Sequence, residues 1–204
     1  MTVIGLTGPS GAGKTELCKI AKQLGCECIN ADEVYHSLLI PPSRCLDEIV
    51  ENFGRDILLS DNSLNRAELG RIVFSSKEKL ALLNTITHKY VKDEFRSIIN
   101  EMKKNNVSVV IVDAPTLFES GFDKECDLNV SLLADINLRM QRIIKRDELS
   151  TAKATARLSA QKEEEFFIER SDHIIRNDGS LENLRQKFTE ILAVRGIVQK
   201  SEDK

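Results

Sequence analysis

Residues Gly8 to Thr15 read GPSGAGKT and satisfy the spacing G-x-x-x-x-G-K-(S/T) through Gly8, Gly13, Lys14 and Thr15. That spacing works in one local setting, a strand running into a phosphate-cradling loop that opens a helix. The flanks supply it. Thr2 to Thr7 has the character of a short strand, and Leu17, Ile20, Ala21 and Leu24 recur at i, i+3, i+4 and i+7 as on one helix face. Backbone N–H groups of such a loop, with the helix N-terminus, present positive partial charge to phosphate oxygens. Gly11 and Gly13 allow an approach that a Cβ would obstruct. Lys14 can then neutralise the β- and γ-phosphates, and the Thr15 hydroxyl can ligate magnesium. The candidate nucleotide-binding positions are Gly8, Ser10, Gly11, Ala12, Gly13, Lys14 and Thr15, and the expected ligand is a nucleoside triphosphate with Mg2+.

Beyond this unit the pattern alternates. Gly25 closes the first helix, Cys26 to Asn30 reads as a second strand ending near Asp32, and Pro41 and Pro42 break the next segment. From Cys45 to Met102 the periodicity is helical, with Leu46, Ile49, Val50 and Phe53 on one face. Asn65-x-x-Glu68 and Ser75-x-x-Glu78 have the form of helix starts, and Ile86 through Met102 predicts a longer helix. Val107 to Val112 is the continuous apolar run expected of a strand covered on both faces, ending in Asp113-Ala114-Pro115. Asn129 to Leu133 is a fourth strand candidate and His173 to Arg176 a fifth. Between them runs a basic helical stretch with Arg139, Arg142, Lys145 and Arg146. Asn177-Asp178-Gly179 forms a turn, Ser180 caps the last helix, and Leu181, Leu184, Phe188, Ile191 and Leu192 supply its buried face. Strands alternating with helices imply an α/β fold with a mainly parallel five-stranded sheet flanked by helices. Only the final SEDK reads as a loose tail.

Composition narrows the class. A chain of 204 residues that is 41% apolar and 30% charged is a globular protein with one substantial core rather than a disordered one. No stretch approaches the ~20 apolar residues that span a bilayer, and residues 1–7 lack the pattern of a signal peptide. The expected setting is cytoplasmic, away from the membrane. A net charge of −3 gives no electrostatic reason to bind nucleic acid. Cys18, Cys26, Cys28, Cys45 and Cys126 lack paired CxxC spacing and are expected as free thiols. His36, His88 and His173 are too scattered for a metal cluster.

Several residues are candidates for chemistry, each with a plainer alternative. Asp32 falls where ligands gather at the carboxyl edge of a parallel sheet. It could accept a proton from an attacking hydroxyl, help hold magnesium, or simply cap a helix. Asp113, after VVIV, is either a magnesium-associated acid or a strand-end turn residue. Arg142, Arg146 and Arg157 could neutralise a phosphoryl group in flight or form a solvated helix face. Asn177 could contact a base or serve only its turn.

Taken in order, these blocks resemble the dephospho-CoA kinase family over most of the chain. IGLTGPSGAGKT is similar to its opening, INADEVYH (29–36) to the acidic motif after strand two, and DAPTLFESG (113–121) to its D-x-P-L-L-F-E stretch. FGRDIL (53–58), LNRAELGRIVF (64–74) and ITH (86–88) resemble its helical segment, and RIIKRD, ARLSAQ and DHIIRNDGS its lid and C-terminal parts. The resemblance implies a P-loop kinase fold in a single unit over 1–204, with its core in 1–34, 105–135 and 172–200. Residues 35–104 would be a helical acceptor-binding region and 136–171 a lid. It further implies transfer of the ATP γ-phosphoryl group to the ribose 3′-hydroxyl of dephospho-CoA, with ATP and Mg2+ required and no obligatory protein partner. Gly8 to Thr15 would hold ATP, Asp32 would be the base, and Lys14, Arg142 and Arg146 would assist phosphoryl transfer. Arg157 and Asn177 would lie beside the nucleotide, and Arg55, Arg66, His88 and Asp113 would serve the acceptor.

The chain departs from that pattern at Pro9 for a frequent glycine, Asn30 for an acid, Lys89 for a proline and Thr116 for a leucine. Its QKEEEFF segment also lacks the usual proline and lysine after the lid glutamine, Gln161. Two other functions are compatible with the loop alone. A kinase for a nucleoside or nucleotide acceptor would share the loop, but the block order disfavours it. A nucleotide-dependent switch is disfavoured by the lack of N-K-x-D and of a D-x-x-G strand end.

Overall fold

The computed structural model describes residues 1–194 and 196, and the chain separates into two compact units, Met1–Ile29 with Lys103 onward, and Asn30–Met102. Its strands are β1 (Thr2–Thr7), β2 (Glu27–Asn30), β3 (Val109–Asp113), β4 (Leu128–Leu133) and β5 (His173–Arg176). The helices are α1 (Lys14–Gln23), α2 (Ala31–Ser37), α3 (Arg44–Phe53), α4 (Arg66–Val73), α5 (Lys77–Lys104), α6 (Leu117–Ser120), α7 (Ile136–Asp147), α8 (Thr151–Ser159), α9 (Glu164–Ile168) and α10 (Leu181–Val194). The expected tail, residues 201–204, lies outside the described residues. No helix among the described residues is long and apolar enough to cross a membrane.

In the first unit the five expected strands form one sheet in the order β2-β3-β1-β4-β5. β1 pairs in parallel with β3 and β4, and β4 with β5; Leu6 stands opposite Asp113, and Thr7 opposite Ser131. Parallel pairing puts the carboxyl ends of these strands on one edge, where open α/β sheets hold their ligands. The loop after β1 and the acid ending β3 therefore emerge side by side. β3 begins at Val109 and takes in Asp113, and all five of its residues are buried, as expected of a strand covered on both faces.

The apolar periods read from the sequence build the core. Leu17, Ile20 and Ala21 of α1 and Leu184, Phe188, Ile191 and Leu192 of α10 pack with Ile4, Leu6, Ile111, Val130, Leu132 and Ile175 of the sheet. Ser180 caps α10 by accepting from the N–H of Asn183 at 3.2 Å. A satellite cluster of Ile143, Ala154 and Leu158 joins α7 to α8.

The second unit is helical, with Leu39, Cys45, Ile49, Ile57, Leu69, Val73, Leu83 and Ile86 in its core. Asn65 starts α4 as expected, its Oδ1 accepting from the Glu68 N–H at 3.1 Å. The next start moves by one residue. Ser76 rather than Ser75 accepts from Lys79 N at 3.4 Å, while the Ser75 hydroxyl turns back to Ile72 O at 2.7 Å. From there α5 runs 28 residues without a break, joining what the sequence pattern divides into a short start and a longer helix. α2 was not anticipated, because seven residues with one buried side chain carry no readable period.

Phe188, 1% exposed in the core, gives the direct check on this packing. Phe188→Ala should lower unfolding free energy by about 3–5 kcal/mol, measured by urea denaturation, because the cavity adds to the lost transfer energy.

Candidate active site

The loop between β1 and α1 is held from outside by backbone-directed side chains. Arg139 Nε donates to Ser10 O at 3.1 Å, Arg142 Nη1 to Gly11 O at 3.2 Å, and Asn177 Nδ2 to Ala12 O at 2.8 Å. In a trans peptide the carbonyl of one residue and the N–H of the next point to opposite sides. Drawing the Ser10 and Ala12 carbonyls toward α7 and Asn177 therefore turns the N–H groups of Gly11 and Gly13 toward the interior of the loop. The Ala12 N–H closes an internal turn onto Pro9 O at 3.2 Å, and Lys14 Nζ folds back to Gly8 O at 2.7 Å. These contacts present the cradle an anion requires, at the N-terminus of α1.

Two glycines are required on the protein side as well as the ligand side. Gly13 has φ +105°, and a Cβ there would lie 2.4 Å from Asn177 Nδ2; at Gly11 it would lie 2.7 Å from the Arg139 carbonyl oxygen. Asn177 is 5% exposed and its carbonyl accepts from Arg142 Nη2 at 3.0 Å, so its side chain and backbone both serve the loop.

Arg139, Arg142 and Arg146 lie at i, i+3 and i+7 on α7, which sets all three on one helix face. Arg139 is 7% exposed, and burial lowers its pKa against the opposing pull of Glu164. Arg146 grips its neighbour Asp147 in a fork, Nε to Oδ1 at 2.7 Å and Nη2 to Oδ2 at 2.8 Å, and its Nη2 reaches Ser10 Oγ at 3.5 Å. Arg157 on α8 pairs with the same carboxylate. The hydrogen bonds from Arg146, then those from Arg157, hold Asp147 down to about 2. These pairs face solvent, where water competes with them.

Asp113, 8% exposed, ends β3 beside the loop. Its Oδ2 accepts from Cys18 Sγ of α1 at 3.9 Å, and Cys18 also hydrogen-bonds Cys28 of β2. The contact with Cys28, burial and the Asp113 carboxylate all raise the Cys18 pKa, keeping it a protonated donor. The same contact lowers that of Cys28. All five cysteines are free thiols, as expected. Among the described residues no group of three or more His, Cys, Asp or Glu side chains could hold a metal ion.

The remaining candidates stand on four elements of the second unit. Asp32 is exposed in the first turn of α2, and the cap of that helix is Asn30, whose Oδ1 accepts from Asp32 N at 2.8 Å and Glu33 N at 3.2 Å. The capping role weighed for Asp32 thus belongs to its neighbour. Arg55 lies in a 3-10 turn and Arg66 opens α4, both exposed. His88 is half-buried within α5, and burial, then Lys92, lowers its pKa. Lys89 continues the helix and donates from Nζ to Glu48 Oε2 at 2.8 Å, beside Tyr90 Oη at 2.6 Å on the same oxygen.

Sequence reasoning did not assign a site role to Arg139 or Gln161, which meet at the loop. The i, i+3, i+7 spacing of the three arginines was the signal for Arg139. For Gln161 the signal was its place at the end of ARLSAQ, the block that resembles the family's lid, which names the segment but not the contact with Ser10.

A family model described as dephospho-CoA kinase matches residues 2–183. A dephospho-CoA kinase of Carboxydothermus hydrogenoformans is 33% identical over 192 residues, 94% of this chain and 93% of that protein. One of Pseudoalteromonas translucida is 38% identical over 181 residues, 88% of this chain and 84% of its own. The solved dephospho-CoA kinase of Campylobacter jejuni superposes with a TM-score of 0.69 at 27% identity, covering 96% of this chain and 98% of the other. With the loop, the parallel sheet and this likeness along nearly its whole length, the chain belongs to the dephospho-CoA kinase family, ATP-dependent kinases on a P-loop kinase fold.

Proposed function

We propose that this chain transfers the γ-phosphoryl group of ATP to the ribose 3′-hydroxyl of dephospho-CoA, giving CoA and ADP. The observation that carries the reading is the loop itself, with its Ser10, Gly11 and Ala12 carbonyls tied back by Arg139, Arg142 and Asn177, in a chain of this family. Phosphoryl transfer asks the protein mainly for positioning and charge stabilisation. Gly8, Ser10, Gly11, Ala12, Gly13 and Lys14 receive the triphosphate, with Lys14 at the β- and γ-phosphates. Arg146 meets charge on the phosphoryl group in flight and Arg157 joins it from Asp147, whereas Arg142, expected beside them, serves the transfer through the loop, its guanidinium being taken up by the Gly11 and Asn177 carbonyls. Asn177 serves the nucleotide by bracing Ala12.

Magnesium suits the donors present, since this ion takes one or two protein oxygens and completes its shell with phosphates and water. Thr15, exposed at the start of α1, and Asp113 would hold it. When bound, magnesium neutralises charge building on the β- and γ-oxygens.

Asp32 takes the proton of the acceptor hydroxyl. With Asn30 supplying the helix cap, its carboxylate is available for that task. Arg55, Arg66 and His88 bind the acceptor's anionic groups, within the acceptor region 35–104, and 136–171 acts as the lid. Excluding water there prevents idle hydrolysis of ATP and strengthens every charge contact.

Purified protein incubated with ATP and magnesium should convert dephospho-CoA to CoA, while adenosine, AMP, uridine and shikimate return unphosphorylated. Turnover of one of those acceptors without CoA would refute the assignment. Asp32→Asn should cut turnover by about 10²–10⁴ while MgATP affinity by calorimetry is retained; a near-normal rate would remove Asp32 as the base. Lys14→Ala should weaken triphosphate binding or transfer, and unchanged kinetics would contradict the loop's role.

A further inference from the structure

Gln161 lies between α8 and α9, and its side-chain oxygen meets two donors at once, the Ser10 N–H at 3.0 Å and Arg139 Nη2 at 2.6 Å. Both partners can only donate, so the oxygen rather than the amide nitrogen must face them. Arg139 Nε meanwhile donates to the Ser10 carbonyl at 3.1 Å. Ser10 is thus gripped on both of its peptide groups, and the two side chains that grip it are bonded to each other. Position matters here. Pro9 has no N–H, so Ser10 carries the first donor after Gly8, and that donor is committed to Gln161 instead of to a phosphate. Gly11, packed under the Arg139 backbone, follows directly.

We propose that Gln161 is a positioning residue for ATP: with Arg139 it fixes the Ser10 peptide, so that the loop is already shaped for the triphosphate before ATP arrives. The energetic reason is preorganisation. A loop with glycines at 11 and 13 must lose backbone freedom when it closes on phosphates, and a brace that removes this freedom beforehand lowers the cost of binding. Because Gln161 belongs to the segment after α8, the same bond ties the loop's shape to that segment.

This inference rests on reading the loop as the ATP site, and the test separates the two. MgATP binding to the full chain is measured by calorimetry without acceptor, alongside kcat and thermal unfolding. Gln161→Met keeps the volume and removes the acceptor oxygen; it should raise the Kd about tenfold with kcat within about threefold. Gln161→Glu restores an acceptor opposite the Arg139 guanidinium, which offsets its charge, and should bind MgATP at least threefold more tightly than the Met variant. A lower Tm in Gln161→Met with unchanged Kd would mean a purely structural role and overturn the proposal. Tighter binding would also overturn it, by showing that Gln161 obstructs the loop. A Glu variant no better than Met would do the same. Failure of the wild-type chain to bind MgATP would sink the loop assignment itself.

Discussion

An anion-binding loop depends on the direction its peptide groups face, and here that direction is imposed from outside. Three consecutive carbonyls, of Ser10, Gly11 and Ala12, are taken up by Arg139, Arg142 and Asn177. Left alone, a glycine-rich turn samples many conformations, most of which do not point successive N–H groups at one centre. The guanidiniums serve twice, because in orienting the carbonyls they also bring positive charge to the back of the cradle. Removing a hydrogen-bond partner from such a buried network costs more than the bond alone, since the group left behind stays desolvated.

The sheet makes this possible. Parallel pairing of β1 with β3 and β4, and of β4 with β5, brings the loop after β1, Asp113, the start of α7 after β4 and Asn177 after β5 to the same edge. Residues 12 and 177 touch because their strands end together. The apolar core between the sheet, α1 and α10 holds those ends in register, and function is thereby linked to packing at Phe188 and Leu17.

The departures from the family pattern acquire local explanations. Asn30 replaces a carboxylate with an amide oxygen that caps α2 equally well, since a cap needs only an acceptor. Lys89 keeps its N–H within an unbroken α5, which a proline there would interrupt, and pairs with Glu48. Pro9 removes a donor, and its carbonyl accepts from Ala12 instead. In the QKEEEFF segment Glu164 pairs with Arg176, and Lys162 and Arg170 both lie over the Phe166 ring. Nothing in the structure explains Thr116.

The amino-acid order by itself determined what depends on neighbours along the chain. The loop's residue types, the five strands, the apolar faces of α1 and α10 and the caps at Asn65 and Ser180 could all be read because each is a periodic or short-range preference. Ser76 displacing Ser75 shows the limit of that reading, since two adjacent hydroxyls compete for one cap and only the assembled turn selects between them. The tertiary structure alone decided that Arg139 and Gln161 meet Ser10 and that Asn177 turns its amide onto Ala12. The same holds for Asn30, not Asp32, capping α2, because α2 is too short to announce itself. Ser10 and Gln161 lie 151 positions apart. A hydrogen bond across that separation depends on where the sheet delivers both ends, which no local pattern records.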